Sequence, residues 1–496
     1  VSSESGLQTG WHFDNSYVRD LEGFYAPWQV EPTAAPELLQ FNSALADRLG
    51  LSHENISDSA LAQILGGSVL PKGAEPIALA YAGHQFGHYN PQLGDGRALL
   101  LGELIAPDGA RFDLQLKGSG RTPFSRNGDG RSAIGPALRE YLVSEAMAAL
   151  GVPTTRALSV VATGERVQRE RAHPGAVLAR VAASHIRIGT FQFFATHFGP
   201  DHVRQLADYT IERHYPAAAN ADHRYFALFE AALNAQVALV AKWTNLGFVH
   251  GVMNTDNVAI SGETIDYGPC AFIDSYAPDA VFSSIDRQGR YAFGNQPFIA
   301  RWNMAQLARA MLPVLVDEDP DAVDKVNALI GTFPERYIAA WLDGMRAKLG
   351  LASVEEGDAD LASRLFKTME GQNVDFTLFF HQLARVPDEG AAVVSRLFSD
   401  PQAADPWLDE WLARIDRDPL SAADRRAAMN AVNPLYIPRN HMVEHALDAA
   451  EEDSDLAPFE RLLDAVRNPY AERPDLSDYA QPAPPEFGKY VTFCGT

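Results

Sequence analysis

The sequence predicts an α+β chain in which a β-rich part precedes a mostly helical one, and three stretches carry that expectation. Ala98–Leu104 and Phe112–Lys117 are strand-like runs joined by the turn cluster Ala106-Pro107-Asp108-Gly109. Gly135-Pro136-Ala137-Leu138 then opens a helix ending near Gly151, with proline in a first turn that tolerates its missing N–H. From about residue 180 onward apolar residues recur at helical spacing, interrupted by two short β-branched runs around residue 260. In chain order this gives an N-terminal extension over 1–75, where aromatic-rich loops alternate with a helical stretch near Pro36–Leu51. A small β-rich lobe over 76–178, a helical large lobe over 179–470 and a proline-rich tail over 471–496 follow. No internal repeat is present.

A chain of 496 residues with 46% hydrophobic and 21% charged residues is long enough for two or more packed cores, and its charge content is ordinary for a soluble protein. Its 41 basic and 64 acidic residues give a formal charge of −23. Nucleic acid is therefore an unsuitable partner, and positive charge for a phosphate group has to be gathered locally. No run approaches the roughly 18 apolar residues of a membrane span. Residues 1–6, Val-Ser-Ser-Glu-Ser-Gly, lack the basic-then-apolar pattern of a secretion signal. A cytoplasmic monomer that does not engage a membrane is the expectation.

The segment His250-Gly-Val-Met-Asn-Thr-Asp-Asn257, followed by Asp266-Tyr267-Gly268, has the layout of the metal-binding loops of protein kinases. Those enzymes write His-Arg-Asp-x-x-x-x-Asn and then Asp-Phe-Gly, using the first Asp as base and the Asn and later Asp to hold Mg²⁺. Asn257 stands at the matching distance from His250, whereas Val252 occupies the position of the base. Strand, strand ending in lysine, then helix with glutamate is also the order of a kinase small lobe, so a protein-kinase-like bilobal fold is expected.

Val258-Ala-Ile260 and Glu263-Thr-Ile265 flank Ser261-Gly262. A two-residue hairpin there pairs 260 with 263, 259 with 264, 258 with 265 and 257 with 266. Asn257 and Asp266 then face each other with Cβ atoms roughly 4.5–5.5 Å apart, close enough to grip one small hard cation. Asp256, turned to the other side, is the nearby carboxylate left to act as base. The plain alternative is a surface hairpin with acidic ends.

In the small lobe, Gln92-Leu-Gly94-Asp-Gly96-Arg97 puts two glycines before a strand, where backbone amides can approach phosphate, and adds a guanidinium that can fork two phosphate oxygens. Lys117, at the end of Phe112-Asp-Leu-Gln-Leu116, is the natural point charge for a nucleotide; a solvated strand-end lysine is the bland alternative. Its helical partner is Glu140 or Glu145: Glu145 falls in the stripe of Leu138, Tyr141, Leu142 and Ala149, with Glu140 across from it, and periodicity allows either. The Arg- and Gly-dense loop 121–131 suggests a polyanion site.

Several long motifs in one order now carry a specific resemblance. Tyr81-Ala-Gly-His84-Gln-Phe-Gly87, Tyr89-Asn-Pro-Gln-Leu-Gly94-Asp-Gly96-Arg97, Leu116-Lys117-Gly118, Ser125-Arg126-Asn-Gly-Asp129-Gly130-Arg131, His250 to Asn257 and Asp266-Tyr267-Gly268 together resemble the selenoprotein O family of bacterial YdiU type. Asn433-Pro434, Arg439-Asn440 and Cys494-Gly495-Thr496 extend the likeness over nearly the whole chain. The resemblance implies a kinase-like enzyme that binds ATP in a flipped orientation and transfers AMP to Ser, Thr or Tyr hydroxyls of other proteins. It implies a Lys117–Glu140 ion pair and a nucleotide site lined by Gly94, Gly96, Arg97, Asp129 and Gly130. It further implies a phosphate cage completed by Arg180 and Arg187, Mg²⁺ or Mn²⁺ on Asn257 and Asp266, and Asp256 as proton acceptor.

Only two cysteines occur, Cys270 just past the Asp-Tyr-Gly and Cys494 near the end. The resemblance suggests a redox-active tail residue and a reversible Cys270–Cys494 bond tethering the tail to the activation segment. Two thiols are the default in a reducing cytosol. A kinase moving the γ-phosphate and a pseudokinase scaffold are the rival readings. Retention of Lys117, Asn257 and Asp266 argues against a scaffold. His441-Met-Val-Glu444-His445 matches an inverted zinc-protease string, a short pattern that arises easily in a long chain.

Overall fold

The computed structural model describes residues 7–492. Its strands are β1 (Tyr25–Pro27), β2 (Glu37–Phe41), β3 (Ile77–Leu79), β4 (Gly83–Gln85), β5 (His88–Asn90), β6 (Ala98–Ile105), β7 (Arg111–Lys117), β8 (Ser132–Ala133), β9 (Arg156–Gln168), β10 (Ala172–Ala182), β11 (Phe248–Val249) and β12 (Ala271–Phe272). The main sheet is antiparallel and runs β1-β3-β6-β7-β10-β9-β2, with β8 added to β10. β4–β5 and β11–β12 are separate two-stranded ladders. The expected strands over 98–104 and 112–117 are thus β6 and β7, paired from Ala98 opposite Lys117 to Ile105 opposite Arg111.

The alternation of β7 decides which side of the sheet does chemistry. Leu114 and Leu116 enter an apolar core with Leu101, Leu104, Val177 and Val181. Asp113, Gln115 and Lys117 fall on the opposite face, with Asp113 and Gln115 fully enclosed. That face looks toward α4 (Ile134–Ala149), the helix expected after Gly135. α4 is buried nearly all round, because Val443, Ala446, Phe459 and Leu462 from C-terminal helices cover the side that the sheet does not. Both Glu140 and Glu145 are therefore interior, and no apolar stripe distinguishes them.

The N-terminal stretch is more integrated than the sequence predicts. Pro36–Leu51 is not one helix: it is edge strand β2, which pairs with β9, followed by α2 (Ser43–Arg48). Asn42 breaks the two by accepting the Leu45 amide at 3.2 Å as an N-cap. β1 and β2 occupy the two edges of the main sheet, while α1 (Ser16–Asp20) and α3 (Asp58–Leu65) complete this region.

Residues 183–187 connect β10 to the helical part, which begins with α5 (Ile188–His197), α6 (Pro200–His214) and α7 (Arg224–Leu246) and includes α8 (Gln296–Glu318). These helices share a core with Phe248, Ile260 and Phe272, and a second core lies among helices between residues 333 and 430. The backbone of the connection is densely bonded. The Ala183 amide donates to Glu263 at 2.9 Å, and Arg213 donates twice to the Ala183 carbonyl, at 3.0 and 2.6 Å. The His185 amide donates to Asp113 at 2.8 Å, and the Arg187 amide to the Thr190 hydroxyl at 3.0 Å.

Burial pushes the Glu263 carboxyl up to about 7. A carboxyl raised in the folded state contributes stability below its ordinary range and loses it as pH rises through the folded value. Glu263→Gln keeps an acceptor for Ala183 and removes the titration. It should melt close to wild type near pH 5 and above wild type near pH 8 in thermal scans at both values.

The tail after Ala471 forms short 3₁₀ turns over Pro474–Ala480 and Pro485–Phe487. The Thr492 amide donates to the Phe282 carbonyl at 2.7 Å, and the Tyr490 hydroxyl donates to Glu444 at 2.5 Å. Glu444 also pairs with Arg139 at 3.4 Å, so the acidic member of the His-x-x-Glu-His string is engaged by the tail and α4. Cys494 lies outside the described residues.

Candidate active site

The chain turns after Ala259 but does not form the expected hairpin ladder. The Gly262 amide closes the turn on the Ala259 carbonyl at 3.2 Å, with Gly262 at φ +79°. The two flanking runs then pair outward. Ile260 donates to the Ile186 carbonyl at 2.9 Å and Ile188 to that of Val258 at 3.0 Å. Thr264 donates to the Pro153 carbonyl at 2.9 Å and Thr155 to that of Thr264 at 3.0 Å. Three-residue runs offer each other few ladder bonds, whereas the connections at 186–188 and 153–155 satisfy the same groups and enclose the runs.

Asn257 and Asp266 are held by separate contacts. Asn257 closes the 3₁₀ turn Thr255–Asn257 and donates its amide to the Val252 carbonyl at 3.0 Å, leaving its amide oxygen to meet a cation. Asp266 adopts φ +65°, an uncommon conformation that Asp tolerates better than most residues. Arg187 Nη1 donates to both the Asp256 carbonyl, at 2.5 Å, and Asp266 Oδ2, at 2.6 Å. One guanidinium nitrogen thus ties the turn to the carboxylate.

Around Asp266 three of the sequence-predicted cations, Lys117, Arg180 and Arg187, converge. Asp266 Oδ1 accepts from Lys117 Nζ at 2.9 Å and Arg180 Nη1 at 2.7 Å. Glu140 accepts from the same two residues, at 2.5 Å and 3.0 Å. Lys117 therefore pairs with Glu140, while Glu145 bonds Arg156 at 2.7 Å and Asn42 at 2.7 Å. The side chains of Arg180 and Arg187 are 2% and 3% exposed, so this is an interior charge cluster and Lys117 is no solvated strand end. Burial opposes ionisation of Asp266, yet Lys117, Arg187 and Arg180 hold its carboxyl well below the usual carboxylate range. Glu140 is lowered by Lys117 and Arg180 against the same burial.

Three cations against two carboxylates leave positive charge for a ligand. Arg180 Nε and Arg187 Nε are buried without a hydrogen-bond partner, and such donors are costly unless something fills them. The donor set suits an oxygen-seeking divalent ion, since Asn257 and Asp266 offer only oxygen. Among the described residues no group of three His, Cys, Asp or Glu side chains is placed to hold a metal, so an ion on these two residues would need oxygens from outside the chain to complete its coordination.

Asp256 sits beneath the β4–β5 hairpin, 6% exposed. The His84 amide donates to the Thr255 hydroxyl at 2.7 Å, the Phe86 amide to Asn254 at 3.0 Å, and Gln85 Nε2 to Asp256 Oδ2 at 3.3 Å. Burial pushes the Asp256 carboxyl up to about 6, and its Oδ1 has no partner. An interior carboxylate with one oxygen free of hydrogen bonds and a raised pKa suits a general base. The approach is so close that a Cβ on Gly83 would stand 2.1 Å from Asp256 Oδ1. Gly83→Ala should displace this carboxylate and lower turnover roughly a hundredfold, with nucleotide affinity little changed; steady-state kinetics check it.

The glycine loops pack closely against one another. A Cβ on Gly94 would meet the Phe124 ring at 2.4 Å, and one on Gly96 the Phe124 carbonyl at 3.0 Å, so these glycines admit the 121–131 loop. A Cβ on Gly130 would lie 2.0 Å from the Gly120 carbonyl. Asp129 accepts from Arg169 at 2.8 and 3.1 Å and from the Arg131 amide at 2.9 Å. These partners lie outside the Lys117 cluster. Arg97 is half-buried. Asp95 makes the link that sequence reasoning missed: it accepts from Gln115 at 3.0 Å, and Gln115 accepts from Arg180 at 2.6 Å. The signal was the alternation of β7, which puts Gln115 on the face of Lys117.

Cys270 is buried under the Asp-Tyr-Gly turn, its thiol 3.4 Å from the Tyr267 carbonyl, and Arg139 donates to its carbonyl at 2.6 Å. The proposed bridge partner, Cys494, lies outside the described residues.

Comparison with known proteins meets this geometry. A family profile described as "Protein adenylyltransferase SelO" matches residues 9–467. A "Protein nucleotidyltransferase YdiU" of Sphingopyxis alaskensis is 58% identical over 484 residues, covering 98% of this chain and 99% of the relative. The protein of the same name from Cereibacter sphaeroides strain KD131 is 57% identical over 489 residues, covering 98% and 100%. That from Rhizobium leguminosarum bv. trifolii is 53% identical over 487 residues, covering 98% and 97%. With a buried lysine–glutamate pair, an arginine cage and likeness along almost its whole length, this chain belongs to the SelO family of protein adenylyltransferases.

Proposed function

We propose that the protein transfers AMP from ATP to Ser, Thr or Tyr hydroxyls of other proteins, with the triphosphate held in the interior by Lys117, Arg180 and Arg187. The observation that carries this reading is where those arginines stand. Arg180 lies on β10 and Arg187 ends the 183–187 connection, whose Ala183, His185 and Arg187 amides are already bonded within the protein. A base docked there would find few unpaired backbone groups and two buried guanidinium groups. A polyanion fits that environment and a neutral heterocycle does not, which supports a nucleotide turned phosphates-inward.

In that orientation the acceptor oxygen attacks the α-phosphorus, its proton passes to Asp256, and the bond to the β-phosphate breaks to release pyrophosphate. Lys117, Arg180 and Arg187 stabilise the charge that gathers on the leaving group. Glu140 orients Lys117, and Gln115 with Asp95 orients Arg180. Gly94, Gly96, Arg97, Asp129 and Gly130 belong to the loops proposed to line the nucleotide. Asn257 and Asp266 would hold Mg²⁺ or Mn²⁺, which when bound neutralises phosphate charge. A reversible Cys270–Cys494 bond remains part of the proposal, and thiol titration of oxidised and reduced protein tests it.

The test is incubation with a divalent metal and ATP labelled at either the α- or the γ-phosphate. Protein-bound label from the α position only is the expected result. Label from the γ position only would make the protein a kinase, and ATP binding without either would make it a scaffold.

A further inference from the structure

α8 is apolar around most of its circumference. One side packs into the helical core through Ile299, Met304, Leu307, Met311 and Val314. The other carries Phe298, Trp302, Ala305, Arg309, Leu312 and Val316, at intervals of 4, 3, 4, 3 and 4 residues, all exposed or half-exposed. Phe298 is 64% exposed, Leu312 37% and Val316 39%. A helix apolar on every side is ordinarily enclosed. The alternating interval is the seam into which a second helix packs, and from residue 298 to 316 it extends about 27 Å.

Charge along the seam says what kind of helix fits. Arg290 lies over the Trp302 ring at 4.7 Å, and Arg309 acts electrostatically on His84, whose ring is 5.2 Å from Trp302. Among the described residues neither arginine has a carboxylate within ion-pair distance, whereas Arg204, Arg224, Arg336 and Arg346 do. The same end of the seam adjoins the hairpin over Asp256, because His84 belongs to β4.

We propose that the outer face of α8 docks the acceptor protein, and that it takes an amphipathic helix with apolar residues at heptad spacing and carboxylates on its flanks. This rests on the transfer reading above and adds the chemistry of the partner. A second copy of this chain is the poorer occupant: two-fold pairing along the seam, parallel or antiparallel, would bring Arg309 of each copy beside that of the other near its middle.

The test uses full-length protein without ATP. A fluorescein-labelled peptide of about three heptads, Leu at a and d and Glu at e and g, is titrated and followed by anisotropy. Its own like charges discourage self-pairing. Saturable binding is expected, weakened about tenfold or more by the Leu312→Lys, Val316→Lys double variant and equally by changing the peptide's Glu to Lys. Both replaced side chains are exposed, so the variant should melt with wild type. No binding, or binding indifferent to these changes, overturns the proposal. So does a wild-type dimer that the double variant splits, since the second copy would then cover the face. Binding as expected with no α-label transfer would remove the transfer reading and leave the docking surface standing.

Discussion

Replacing Asp266 with alanine is expected to lower AMP transfer roughly a thousandfold or more, the largest activity effect at this site. Asp266 takes bonds from Lys117, Arg180 and Arg187 and is one of two residues proposed to hold the metal. Without it, Lys117 and Arg180 share Glu140 alone and Arg187 loses its carboxylate partner. Removing one partner of such a cluster costs about 3 kcal/mol, so the variant should also melt at a lower temperature. Added ATP should recover part of that loss, because its phosphates resupply the missing negative charge. Asp266→Asn separates shape from charge: it should pack nearly as wild type and remain inactive. Transfer of α-label at the wild-type rate by either variant would remove Asp266 from the mechanism.

Arg187→Met is expected to have the largest effect on stability. Its guanidinium is enclosed, joins the Asp256 carbonyl to the Asp266 carboxylate through one nitrogen, and lies 4.8 Å from the Tyr81 ring. Loss of a buried partner of this kind costs about 3–5 kcal/mol, readable as a lower denaturant midpoint with unchanged slope. Arg187→Lys keeps the charge, but its shorter side chain sets the single nitrogen back from the Nη1 position, so turn and carboxylate are held together less closely. It should retain most of the stability and lose about a hundredfold in kcat/KM, since a displacement of about 1 Å is enough for that. If Arg187→Lys matched wild type, charge alone would suffice there and the bridging role would be wrong.

Much of the site was legible because its residues lie in short local patterns. Lys117 ends a strand whose polar residues alternate, and that alternation is enough to put Lys117 and Gln115 on one face. The spacing from His250 to Asn257 and the Asp-Tyr-Gly that follows marked the second half. What failed were inferences that treated local patterns as self-contained. Val258–Ile260 and Glu263–Ile265 have the composition of a hairpin, but Ile186, Ile188, Pro153 and Thr155 take their backbone bonds.

By itself, then, the sequence determined the α+β class, the strand–strand–helix order, and a lysine, an asparagine and an aspartate spaced for nucleotide chemistry. Those follow from periodicities of two and about 3.6 residues and from fixed intervals along one segment. The tertiary structure decided that Glu140 rather than Glu145 meets Lys117, that Asp95 and Gln115 stand behind Arg180, and that a hairpin more than 160 residues earlier in the chain covers Asp256. These are contacts between distant segments, and their partners are chosen by which buried polar groups can satisfy one another once the layers close, a selection no local interval encodes.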